Sequence, residues 1–128
     1  VGDVHQPLHV SPAGTSGGND IKVQWFSTSS NLHRVWDSDL IDMQQLSYTE
    51  YTNYINHTTL TARKQLQADP ISKWLFESYT IAQELHEEIK ENNPRLGYRY
   101  NYDHIHSLNV QLLKGGVRLA GLLNELFG

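Results

Sequence analysis

The sequence predicts a mainly α fold, a helical bundle with a small β-hairpin or irregular loop beside it. Three observations predict this. Apolar residues recur every three or four positions over residues 71–89 and again over 105–126. Helix-start signals precede helical stretches: Ser47-Tyr48-Thr49-Glu50 has the form of a capping box, and Asp69-Pro70 offers an N-cap followed by proline at the first helical position. Only Ile21-Lys22-Val23-Gln24-Trp25-Phe26 alternates with the period of a strand.

Composition narrows the function. A chain of 128 residues is one domain's worth, enough for a single core. With 38% apolar and 19% charged residues it is globular and fairly polar. Its net charge of -4 argues against a basic stripe that grips duplex DNA. If nucleic acid is the substrate, metal ions must supply much of the positive charge. The chain has no cysteine, which excludes disulfides and thiolate metal sites. No apolar run approaches the roughly 18 residues of a membrane span. The sequence opens at Val1 with neither Met nor signal peptide, the expectation for a processed or truncated product.

The elements follow in order. Val1 to Gln6 reads as the last turn of a helix that Pro7 ends, forcing a turn before His9. Ser11 to Asp20 is a Gly/Ser/Pro/Asn loop. The strand at 21–26 gives way to a polar loop, Ser27 to Ser30. From Asn31 the pattern is helical, with Leu32, Val35, Trp36 and Leu40 on the core face. The capping box opens a helix to about Asn56, and a second covers Thr59 to Gln67. Ile71, Trp74, Leu75, Ser78, Ala82, Leu85 and Ile89 form the stripe of the next. A Tyr- and Gly-rich loop spans Pro94 to Asn101. The last helix runs from about Asp103 to Phe127, with Ile105, Leu108, Leu112, Leu119, Leu123 and Leu126 inward. Its Gly115-Gly116 pair costs roughly 1 kcal/mol per glycine relative to alanine, which suggests close packing against another backbone.

The residues that carry chemistry lie in two blocks. Gly2-Asp3-Val4-His5-Gln6-Pro7-Leu8-His9 places Asp3 and His9 on either side of a turn. Asn31-Leu32-His33-Arg34-Val35-Trp36-Asp37 places His33 and Asp37 four apart, one above the other on a helix. Imidazole nitrogens with carboxylate oxygens suit zinc, and without thiolates they suit a catalytic rather than a structural site.

These blocks, with Gly17-Gly18-Asn19 between them and Lys114-Gly115-Gly116-Val117-Arg118-Leu119-Ala120 near the end, resemble the zinc-dependent single-strand nucleases of the mung bean nuclease type. These type I nucleases share a superfamily with zinc phospholipase C. Order and spacing agree across the whole chain. The resemblance implies a helical bundle of the phospholipase C and zinc nuclease type. It implies three clustered zincs that hydrolyse phosphodiesters of single-stranded DNA and RNA to 5′-phosphate products, with 3′-nucleotidase activity in many members. Asp3 is then the carboxylate bridging two zincs, and His9, His33 and Asp37 are the protein ligands of the third. No side-chain nucleophile is required. Asp39 falls where the resemblance implies an asparagine that grips the substrate base; an ionised Asp accepts hydrogen bonds but donates none. The family's remaining ligands, including a histidine two residues before Val1, lie upstream. Residues 1–128 are therefore expected to be the C-terminal part of a single zinc nuclease domain. Association with the missing N-terminal half or with itself is expected too, as is a secreted or periplasmic location.

Other readings compete. His5 is read as a non-ligand, and His86, His104 and His106 as surface residues. His57 lies in the glycosylation sequon Asn56-His57-Thr58, relevant only in a glycosylating secretory route. Trp36 and Trp74 are read as core, Trp25 or Phe26 as cleft-lining, and the tyrosines from Tyr48 to Tyr54 as packing with wet hydroxyls. One alternative function is phospholipase C, in which Glu typically replaces Asp37. The other is an inactive fragment that binds zinc or a partner without turnover.

Overall fold

A computed structural model describes residues 1–128. The molecule is mainly helical with one small sheet. Two turns of 3-10 helix, Asp3–His5 and Pro7–Val10, open the chain; extended Gln6 separates them, and its side chain caps the second by accepting from Leu8 N–H. Pro7 thus starts a turn as well as ending one. After a glycine-rich turn at Ser16–Gly18, β1 (Lys22–Trp25) and β2 (Thr28–Asn31) form an antiparallel hairpin, with Lys22 opposite Asn31 and Trp25 opposite Thr28. The expected polar loop after Phe26 is therefore mostly a second strand. Its Ser and Thr side chains gave no apolar alternation to announce it. Phe26 takes φ 56° at the hairpin tip. That conformation is held by its N–H to Leu96 O at 2.7 Å and by Arg95 Nε donating to its carbonyl at 2.9 Å.

Asn31 then caps a continuous helical segment, its side chain accepting from Arg34 N–H. The segment comprises α1 (Leu32–Arg34), a π-helical stretch (Val35–Asp39) and α2 (Leu40–Met43). In the wider turn Leu40 N–H bonds Val35 O, five residues back. Leu32, Val35, Trp36 and Leu40 are all buried, as the sequence face predicted. They join Leu8, Val23, Tyr51, Ala82, Leu85, Tyr100 and Leu108 in one core. Trp36 Nε1 is satisfied there by the Tyr100 hydroxyl at 2.9 Å.

Three helices follow: α3 (Tyr48–Ile55), with the predicted capping box complete, α4 (Leu60–Ala68) and α5 (Ile71–Glu88). Asp69 is not the N-cap of α5; Pro70 occupies that position and the Asp69 carboxylate turns to Arg118 and Lys73. The α5 stripe is only partly inward, since Trp74, Ser78, Ala82 and Leu85 are buried while Ile71 and Leu75 are exposed. β3 (Arg95–Leu96) adds to β1 in parallel, giving sheet order β2-β1-β3. The last helix, α6 (Tyr98–Phe127), begins five residues earlier than expected; Gly97 precedes it without a side-chain cap, so no start signal was there to read. Its buried face is Tyr100, Leu108, Gln111, Gly115, Val117 and Arg118. Leu112, Leu119, Leu123 and Leu126, expected inward, are 41, 43, 46 and 72% exposed. Gly115 admits the His5 side chain, 3.4 Å from where a Cβ would stand, rather than another backbone, and Gly116 faces open space.

Candidate metal centre

His9 projects from the second 3-10 turn, His33 from α1 and Asp37 from the π-helical stretch. Their ligand-capable atoms all lie within 4.8 Å of one another. His9 Nε2 is 3.2 Å from Asp37 Oδ1, and His33 Nε2 is 3.0 Å from Asp37 Oδ2. The two imidazoles stack with centroids 5.0 Å apart.

The other ring nitrogens explain why those atoms are chemically available. His33 Nδ1 lies 2.8 Å from the Gly17 carbonyl, and His9 Nδ1 lies 2.7 Å from Asp3 Oδ1. Both partners only accept, so each Nδ1 carries the proton and donates. A neutral ring then turns the lone pair of Nε2 toward Asp37. Two lone pairs and a carboxylate converge on one point, and only a cation (a metal ion, or a second proton on each ring) satisfies all three. The donor set and the fixed tautomers fit a divalent metal.

Gln6 completes the support. Its amide donates to Asp37 Oδ1 at 2.6 Å while its carbonyl oxygen accepts from Leu8 N–H at 2.6 Å. It joins the carboxylate to the turn that carries His9. Gly17 is equally specific: it adopts φ 62°, and a Cβ there would stand 2.9 Å from Leu8 O and 3.3 Å from His33 Nδ1. Sequence reasoning assigned neither residue a role, although both lie inside the quoted blocks. Asp3 stands outside the group of three, its side chain 79% exposed, and reaches it through His9. Asp39 is turned to the hairpin, accepting from Ser30 Oγ at 2.6 Å with Arg34 Nε 3.8 Å away.

A buried polar network fixes the Asp3–His5 turn from below. Arg118 is fully enclosed, pairing with Asp69 Oδ2 and Glu77 Oε1 at 2.8 Å each. It also donates to His5 Nε2 at 2.9 Å. His5 in turn donates from Nδ1 to Val1 O at 2.7 Å. Burial holds the His5 imidazole below its ordinary range; the Val1 bond opposes that shift and the Arg118 charge adds to it. Gln111 donates to the His5 carbonyl, and Ser78 Oγ donates to the Val4 carbonyl. Of the remaining histidines, His104 bonds Glu88 at 2.9 Å and packs on Trp36 and Tyr100, so it is not a free surface residue. His86 is half-buried near Ser11 Oγ, which lowers its pKa by desolvation. His106 is exposed. Of the tyrosines, Tyr51 is buried with its hydroxyl on Asn109, whereas Tyr48 and Tyr54 are exposed. Trp25 packs against Phe26 and Tyr100.

Comparison with known proteins shows the family to which this sequence belongs. The profile of the S1/P1 nuclease family matches residues 1–128. Endonuclease 2 of Arabidopsis thaliana is 31% identical over 144 residues, covering 100% of this chain and 49% of its own length. Endonuclease 4 of the same plant is 32% identical, covering 99% of this chain and 48% of its own. Nuclease PA3 of a Penicillium species is 28% identical, covering 100% and 55%. The chain thus spans about half the length of these relatives. With the match running from the first residue to the last, and the two histidines and the aspartate converging as a metal group, the chain belongs to the S1/P1 nuclease family.

Proposed function

We propose that this chain carries part of a zinc-dependent phosphodiesterase centre that hydrolyses single-stranded DNA or RNA to 5′-phosphate products, with 3′-nucleotidase activity on mononucleotides. The observation that carries the reading is the convergence of His9, His33 and Asp37 with both Nδ1 positions already engaged. A bound divalent zinc supplies Lewis-acid activation of water and charge neutralisation at the phosphate. The protein's own contributions are positional. Asp3 and the Gly17 carbonyl keep the two imidazoles in the ligating tautomer, and Gln6 holds the Asp37 carboxylate toward them. Asp3 is exposed enough to offer its second oxygen to a further cation, in line with a bridging role. The Asp39 carboxylate, engaged by Ser30 and Arg34, orients Arg34 and in this reading also accepts from a base edge. A secreted or periplasmic site of action is part of this proposal.

The test is metal titration and turnover on the purified chain. Zinc binding should be lost in His33→Ala and Asp37→Ala, and hydrolysis of single-stranded DNA should stop on chelation and return with zinc. Cleavage that persists through chelation would overturn the reading, as would a preference for phosphatidylcholine over nucleic acid. A second reading has one observation in its favour: a single group of three or more such side chains comes together in these 128 residues. In that reading the chain binds one zinc without turnover. One metal per chain and no hydrolysis would select it.

A further inference from the structure

Beside the metal group lies a cleft of about 410 Å³ that the nuclease reading leaves unexplained. Of its lining residues only Val23 is apolar, and none is acidic. Two are cations, Lys22 and Arg34, in a chain whose net charge is -4. Lys22 is exposed on β1 and makes no ion pair. Arg34 is 67% exposed, and its one carboxylate neighbour, Asp39, stands 3.8 Å off. Ser30 binds the other oxygen of Asp39 at 2.6 Å, so that carboxylate orients the guanidinium without enclosing it. Asn19, Asn31 and Asn93 add amides around the two charges.

The cleft shares with the metal group both elements that hold His33. Arg34 follows His33 on α1, and Asn31 caps that same turn. On the other side, Gly17 accepts from His33 Nδ1, and Asn19 stands two residues further along the same turn. Lys22 faces Asn31 across the hairpin. Two cations among neutral donors, without competing carboxylates in the lining, form a complement to a phosphodiester anion.

We propose that this cleft is a backbone-phosphate subsite for the strand flanking the cleaved bond, with Lys22 and Arg34 as its cations. It rests on the nucleic-acid reading above and adds how a single strand is held beyond the scissile phosphate. The contact is with the sugar–phosphate chain, so it is indifferent to sequence. A mononucleotide, with no flanking phosphate, gains nothing from it.

Binding of a fluorescently labelled oligothymidylate to the zinc-loaded chain, measured by anisotropy across a salt series, tests this. In the double variant Lys22→Ala/Arg34→Ala, Kd should rise about tenfold and the log–log salt slope should flatten by about 1.4, roughly 0.7 for each single-strand phosphate no longer neutralised. Lys22→Arg should retain wild-type binding, and Lys90→Ala, at an exposed position just beyond the end of α5, serves as the remote charge control. If the wild-type chain binds no single strand, the nucleic-acid reading fails and the subsite with it. If the wild type binds and the double variant matches it in Kd and slope, the subsite alone is overturned.

Discussion

At the scale of single residues, the metal group depends on side chains that do not ligate. Gly17 is the sharpest case, because a methyl group there meets both Leu8 O and the His33 ring, at a φ that disfavours any β-carbon. Gly17→Ala should therefore push His33 off its carbonyl partner. Gln6→Leu removes the donor to Asp37 Oδ1 and leaves the Leu8 amide unpaired. Loss of an outer hydrogen-bond partner typically weakens metal affinity about 10–100-fold. Both variants should fall in that range in a competitive zinc titration; affinity equal to wild type in both would show that these contacts do not orient the ligands. Asp3 separates two roles. Asn at position 3 still accepts from His9 Nδ1 but carries no charge. If Asp3 acts through His9, Asp3→Asn should leave the first equivalent of zinc nearly unchanged while Asp3→Ala weakens it. If Asp3→Asn weakens that first equivalent as much as alanine does, the carboxylate itself belongs to the first site.

At the scale of elements, α5 and α6 hold the Asp3–His5 turn through Ser78, Gln111 and one enclosed guanidinium. Arg118→Met would leave Asp69 and Glu77 facing a neutral side chain and His5 without its donor. Lys73 and Lys114 still pair with the two carboxylates, so the loss is that of hydrogen bonds to charged groups, about 1.5–3 kcal/mol, and urea denaturation should show a loss of that order. The same network sets the acid limb of stability. Hydrogen bonding from Arg118, supported by Lys73, holds Asp69 below its ordinary 3.8. Burial pushes Glu77 upward, but hydrogen bonds from Lys114 and Arg118 outweigh it and bring the carboxyl below its ordinary 4.5. The unfolded chain takes up these protons first, so the stabilisation is complete above about pH 4.5 and is lost as pH falls through the folded values. Arg118→Met should flatten that limb; an unchanged slope between pH 5 and 3 would deny the network this role.

How far the sequence revealed these elements depended on whether the determining contact was local. His33 and Asp37 share one helical turn, so their spacing was readable, as were the Ser47 capping box and the buried face from Leu32 to Leu40. The Gln6–Asp37 bond spans 31 positions and the Arg118–His5 bond 113, and no periodicity encodes either. β2 carries no strand signal, because Thr28-Ser29-Ser30-Asn31 has no apolar face. Asp69 has the spacing of a cap, whereas a buried cation from the last helix claims its carboxylate.

At the scale of the whole molecule, periodicity named the apolar side of α6 without saying what covers it. Leu119, Leu123, Leu126 and Phe127 are all more than two-fifths exposed. Two largely apolar cavities, about 250 and 750 Å³, meet at Leu112 and Gly116 of this helix and at Ile41 of α2. The smaller one reaches Gln6 and Asp37, so the apolar face runs up to the metal group. The relatives are about twice as long as this chain, and a face of this kind is what additional polypeptide would cover. On its own the 128-residue chain has only a second copy with which to bury that surface. It should therefore self-associate in a concentration-dependent manner, visible by sedimentation velocity. Leu119→Glu places a charge in the middle of the exposed stripe and touches none of the metal group, so it should restore the monomer without altering zinc affinity. A wild-type chain that stays monomeric at high concentration would mean that this face is tolerated in water. A glutamate variant that associates as strongly as wild type would place the contact elsewhere on the surface.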